Sequence, residues 1–77
     1  MKTEQKTMAA LAPAEQGTVR WIRAEPSIKR RLQDLGLISG AKVTCIFTSR
    51  HKDISIYRIC GAHIAIRDCD AKNVYLK

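Results

Sequence analysis

The chain is expected to fold as a small, strongly bent β-barrel of about five short strands, with one short α-helix after the first strand. Three observations predict this. Short alternating or β-branched runs, separated by polar or glycine-bearing turns, fill the second half of the chain. Only one segment, IKRRLQDL at residues 28–35, spaces its apolar residues as a helix does. Finally, 77 residues make one domain, long enough for a compact core and too short for a large active-site cleft.

The elements follow in order. Met1 to Thr7 is polar and charged and reads as a flexible tail, leaving residues 8–77 as the single folded domain. Met8 to Leu11 offers one apolar turn that can lie on the core, and PAEQG at 13–17 reads as a turn. Thr18 to Glu25 is strand-like and stops at Pro26. Its alternation is broken, because Val19 and Trp21 share one face while Ile22 falls on the other. Either both faces are partly covered or a bulge re-aims a side chain.

The helix is well punctuated. Ser27 is the expected N-cap, its hydroxyl accepting from the first free amides. Ile28, Leu32 and Leu35 stand at i, i+4 and i+7, one apolar helical face. Gly36 suits the left-handed position that closes a helix, after which Leu37 folds back on Leu32 in a Schellman ending. So short a helix does not hold alone in water and must pack on something.

The remainder is expected to be β structure. Ser39-Gly40 suits a tight turn with glycine where φ is positive. Val43, Cys45 and Phe47 then alternate with Lys42, Thr44 and Thr48 as a half-buried strand. SRHKD at 49–53 is a polar hairpin loop, and Ile54, Ile56 and Arg58 alternate with Ser55, Tyr57 and Ile59 beyond it. Gly61-Ala62 reads as a two-residue turn with glycine first, the II′ pattern. Ile64 and Ile66 continue on its far side, RDCDAKN allows one 3₁₀ turn, and Val74-Tyr75-Leu76 closes the chain as a short strand.

Composition narrows the function classes. Apolar residues make up 45% and charged residues 27%, the usage of a folded globular domain. Fourteen Lys and Arg against seven Asp and Glu leave +7, which favours an acidic partner: nucleic acid, an anionic membrane surface or an acidic protein face. No stretch approaches the roughly 20 apolar residues of a membrane span, and the first residues lack the apolar core of a leader. Cys45, Cys60 and Cys69 are odd in number and not closely spaced, so a cytoplasmic setting with reduced thiols is expected.

Little in the sequence carries chemistry of its own. Cys60 and His63 form a lone C-x₂-H pair with no second pair to complete a zinc site. If Gly61-Ala62 is the turn, the two would face each other across it. No phosphate-cradling glycine loop and no nucleophile elbow is present, so no cofactor, no metal site, no catalytic residue and no enzymatic activity are expected. The exception in interest is the run Lys29, Arg30 and Arg31. In a helix over 28–35 these cations stand in the first turn, where the helix dipole disfavours each by roughly 0.3–1 kcal/mol. As a docking surface they would attract carboxylates or phosphates. As a solvated face, Lys29 and Arg31 would cover the core edge with their alkyl stems, while Arg30 would point away and pair with Asp34.

At RRLQDLGLISGAKVTCI the chain resembles the FeoA family, small cytoplasmic partners of the bacterial ferrous-iron transporter FeoB. Arg30, Arg31, Leu32, Asp34, Leu35, Gly36, Leu37, Gly40 and Val43 carry the helix-to-strand signature. APAEQGTV is similar to the family's opening turn and first strand, and RICGAHIAIRDCDAKNVYL to its closing hairpin, through Gly61, Arg67, Ala71 and Val74. The resemblance runs from about Met8 to Leu76. Two departures stand out: Ser49 to Asp53 replaces a Pro/Gly-rich hairpin, and Ser39 stands where proline is common. The resemblance implies an SH3-like barrel and an accessory role on the cytosolic side of the FeoB-type GTPase transporter, with no iron ligands of its own. On the residues themselves, Gly36, Gly40 and Gly61 are the structural turn residues, and the cations of the helix start, Lys29, Arg30 and Arg31, are the partner-binding candidates. The alternative is a small basic nucleic-acid-binding barrel. The +7 charge allows that, whereas Trp21, Phe47, Tyr57 and Tyr75 form no evident stacking platform.

Overall fold

The computed structural model describes residues 6–77, and the expected tail at residues 1–5 lies outside them. Lys6 and Thr7, counted with that tail in the sequence, are tied to the end of the chain. The Leu76 amide donates to the Lys6 carbonyl at 2.8 Å, and Thr7 bridges Tyr75. A 3₁₀ turn at Met8–Ala10 follows, and it buries Met8 completely.

Five strands form one antiparallel sheet: β1 (Gln16–Ile22), β2 (Lys42–Thr48), β3 (Ile54–Ile59), β4 (Ala62–Arg67) and β5 (Val74–Leu76). Their order is β4-β3-β2-β1-β5, so β4 and β5 are the edges. Helix α1 (Pro26–Asp34) joins β1 to β2, and a single helical turn α2 (Asp68–Ala71) joins β4 to β5. One core collects Met8, Val19, Leu32, Leu37, Val43, Cys45, Tyr57, Ile59 and Val74, all essentially inaccessible.

Two bulges curl this sheet. Residues Gln16 to Thr18 of β1 pair with β2, while Val19 to Ile22 pair with β5, and the register slips between Val19 and Trp21. One strand thus serves two neighbours across a bend, as a small barrel requires. The extra residue also explains the broken alternation in β1: Val19 and Ile22 are both buried, and Trp21 is turned out. The second slip, between Cys45 and Phe47, corrects the expectation for β2. Cys45 stays in the core, but the added Ile46 carries Phe47 to the outside, where it is 55% exposed.

Helix α1 starts earlier than its apolar spacing implied. Pro26 occupies the first helical position and Glu25 the cap, with no side-chain capping bond, so Ser27 lies inside the helix and does not cap it. Proline fits there because its fixed φ is helical and it has no amide to satisfy. The end is the Schellman motif: the Leu37 amide donates to the Leu32 carbonyl at 3.2 Å and the Gly36 amide to the Gln33 carbonyl at 2.9 Å. Gly36 has φ +107°, and a Cβ there would stand 2.8 Å from the Cys60 sulfur.

The β3–β4 turn also differs from expectation. Ile59 pairs with Ala62, so the central residues are Cys60 and Gly61, with φ 51° and 82°. Two positive φ values make a type I′ turn, whose twist suits a hairpin. The turn therefore sits one residue earlier than Gly61-Ala62, and Cys60 is exposed in it.

The buried hydroxyl of Tyr57 donates to the Met8 carbonyl at 3.1 Å, fastening the N-terminal turn to the sheet. Burial raises its pKa from the ordinary value of 10.0. The neutral form is thus favoured in the folded state. Its contribution is complete below pH 10 and is lost as pH rises through the elevated folded value.

Two outcomes follow. Gly36→Ala should cost roughly 2–4 kcal/mol, combining left-handed strain with the sulfur contact, and Gly40→Ala, which meets nothing within 4 Å, about 1 kcal/mol. Urea unfolding checks the order, and adding Cys60→Ala to Gly36→Ala should restore part of the loss. Tyr57→Phe should cost about 1 kcal/mol at neutral pH and flatten the decline in melting temperature above pH 10.

Candidate functional site

Helix α1 projects Lys29, Arg30 and Arg31 into solvent, and all three are exposed. Because the helix begins at Pro26, Lys29 closes its first turn, Arg30 lies past it, and Arg31 reaches the last turn, where a cation is favoured. The electrostatic tension expected for a helix over 28–35 is therefore reduced to Lys29 alone. Successive helical residues diverge by about 100°, so the three do not form one patch. Arg31 reaches Asp70 of α2 at 3.4 Å, and Arg67 reaches the same carboxylate from the end of β4 at 3.8 Å. Asp70 is only 13% exposed in its side chain, so one sheltered carboxylate holds two exposed guanidinium groups. Among the described residues, no ion pair joins Arg30 to Asp34.

Lys29 faces the other way. It lines a shallow groove of about 140 Å³ with Arg20, Trp21, Gln33 and Ser39. The Arg20 guanidinium stacks 4.4 Å from the centre of the Trp21 ring, a contact worth about 0.5–1 kcal/mol when exposed. Sequence reading missed Arg20 and Trp21 as partners of this helix. Their signal was the broken alternation of β1, which the bulge resolves by turning both toward solvent.

A larger open depression of about 600 Å³ lies where the 49–53 loop meets the start of α2, lined by His51, Lys52, Asp53, Ile54, Arg67 and Cys69 among others. Residues of the 49–53 loop thus form its wall. Elsewhere, Glu15 accepts from the Ala12 amide at 2.7 Å and from Lys6 at 3.5 Å. The Ala12 bond, followed by the Lys6 charge, holds its carboxyl below the usual value of 4.5.

The metal question turns on the hairpin. His63 pairs with Arg58, and Cys60 occupies the turn itself, so the corrected register does not set the two opposite each other. No group of three His, Cys, Asp or Glu converges among the described residues. Of the aromatics, Tyr57 is buried, Tyr75 half-buried, and Trp21 and Phe47 lie on different strands. No described helix is long and apolar enough to cross a membrane.

Comparison with known proteins places these features. A family model described as the FeoA domain matches residues 6–77. Among curated proteins, none matches. Solved structures do. A FeoA-like protein from Clostridium acetobutylicum superposes with a TM-score of 0.87 at 18% identity, covering 99% of this chain and 88% of that one. The FeoA protein from Chlorobium tepidum gives 0.83 at 26% identity, covering 92% and 70%. A zinc-complexed FeoA from Stenotrophomonas maltophilia gives 0.81 at 22% identity, covering 94% and 89%, and is described as a prokaryotic SH3 domain protein. The fold is thus the SH3-like barrel.

Titration of the purified chain with zinc or ferrous ion, followed by calorimetry, should show no stoichiometric binding tighter than about 10 µM, since tight sites need three or four converging ligands.

Proposed function

The chain belongs to the FeoA domain family, and on that premise we propose that it is an accessory protein of bacterial ferrous-iron uptake, docking on the cytosolic side of a FeoB-type GTPase transporter. The observation that carries this reading is the match of the family model over residues 6–77. It is supported by the Stenotrophomonas maltophilia relative, described as a candidate ferrous iron transport activating factor. The protein is proposed to act in the cytoplasm, as a binding module without a reaction of its own.

The contact is assigned to α1 and the groove beside it. Lys29 and Arg30 offer charge without an intramolecular partner among the described ion pairs. Trp21, 40% exposed, offers apolar area next to Lys29. Exposed charges of this kind add more to encounter rate and orientation than to affinity, and a half-exposed tryptophan beside them is the usual anchor type at an interface. Arg31 belongs to the same proposed contact but also faces the sheltered Asp70 carboxylate, so reversing its charge would set two carboxylates together and disturb the fold as well.

The test is a pull-down of the full-length transporter with this chain, with transporter GTP hydrolysis measured in parallel. Lys29→Glu with Arg30→Glu should reduce retention about tenfold while shifting the melting temperature by less than about 3 °C, because neither exposed side chain carries much stability. Arg31→Glu should lower retention and melting temperature together. Full retention of the double variant would assign α1 to solvent and send the search for the contact elsewhere.

A further inference from the structure

The outer face of β2, β3 and β4 carries apolar residues that the core does not take. Cross-strand pairs set them in rows. Phe47 stands opposite Ile56, and Ile56 opposite Ala65, which makes a middle row that ends at β4. On one side, Ile54 stands opposite Arg67; on the other, Thr44, Arg58 and His63 form a row. Phe47 is 55% exposed and Ile54 39% exposed. The row ends with an alanine, the smallest side chain on it, beside an open edge.

That edge is available. β4 is terminal in the sheet and pairs with β3 over six residues without a register slip. The direction of its free groups follows from the ladder. The Asp68 amide donates to the Asp53 carbonyl at 2.9 Å, and the Ile54 carbonyl turns the other way to accept from Ser49 at 2.9 Å. Because antiparallel ladders alternate, Ala62, Ile64 and Ile66 bond to β3. The amides and carbonyls of His63, Ala65 and Arg67 then point away from the sheet, and these three residues are exposed. β4 contains no proline and no bulge, the devices that usually blunt an edge, and only charge guards it.

We propose that β4 accepts an extended segment of an acidic partner protein as an added antiparallel strand. Its central apolar residue would lie over Ala65 beside Ile56 and Phe47, and acidic residues two positions to either side would meet Arg67 and the Arg58–His63 row. Charge selects this occupant. A second copy pairing antiparallel about Ala65 would set Arg67 of each chain against His63 of the other, and each chain carries +7. A nucleic acid would satisfy the arginines but has no amide and carbonyl ladder for the edge. The mode is strand addition, in which backbone bonds give affinity and alternate side chains give specificity. It does not rest on the docking assigned to α1.

The test uses the ¹⁵N-labelled full chain and an acetylated, amidated peptide, Thr-Glu-Val-Phe-Val-Glu-Thr. The expected result is a Kd on the order of 100 µM, with the largest amide shifts at His63, Ala65 and Arg67. N-methylation of the Phe amide should weaken binding about tenfold and N-methylation of the Val amides much less, since only the former faces β4 in an antiparallel pair. Replacing both Glu by Lys should weaken it about tenfold. Ala65→Pro, which removes an outward amide, should abolish binding while leaving the β3 pairing intact. A Kd above about 1 mM, equal binding of the Lys peptide, indifference to N-methylation or shifts centred on α1 would each overturn the proposal. So would β4 shifts that grow with protein concentration alone, the sign of self-pairing, or displacement of the peptide by a generic RNA.

Discussion

At Gly36 the chain leaves α1 and passes so close to the Cys60–Gly61 turn that an added Cβ would stand 2.8 Å from the Cys60 sulfur and 3.2 Å from Ile59. Three other features depend on that approach. Leu37, the next residue, enters the core with no exposed surface, and the Schellman bonds that aim it need the positive φ of Gly36. The β3–β4 hairpin lies under the helix end, so its type I′ turn and the helix stop are packed as one unit. Helix α1 is too short to persist alone, and this joint, with Leu32 and Leu37 in the core, keeps it on the barrel.

The curvature has a different source. Two slips, one in β1 and one in β2, bend the sheet so that β1 can pair with β2 and then with β5. Each also reverses the phase of the strand beyond it. The apolar residues that a regular strand would bury are therefore delivered outside, Trp21 at the first slip and Phe47 at the second. Such slips let a short sheet take up the curvature of a small barrel, and here they also set these apolar side chains on the outside.

The parts of the fold legible in sequence are those specified by local chemistry. The helix end at Gly36, the turn at Gly40 and the strand of Val74 to Leu76 are written in single residues or short alternations. Ser27 misled because serine is a common cap, while Pro26 one residue earlier fits the first helical position and moves the start upstream. Phe47 misled because a bulge at Ile46 leaves no local mark, as the run of apolar residues looks the same with or without it. Cys60 misled because a non-glycine at φ 51° is uncommon, and Gly61 drew the turn one residue late. The candidate site was legible as a count of charges and not as an arrangement. That Lys29 would face Trp21, while Arg31 met Asp70 thirty-nine residues on, depends on tertiary packing alone.

That packing links the two surfaces. Asp70 holds Arg31 of α1 and Arg67 of β4 with one carboxylate, and α2 presents it from a single helical turn. Two guanidinium groups share one negative charge, so the bridge keeps a net positive charge while fixing where both arginines stand. Each exposed pair contributes little stability by itself. Its consequence is geometric: one sheltered carboxylate fixes where the guanidinium groups of α1 and β4 stand relative to each other, although they lie on elements far apart in sequence.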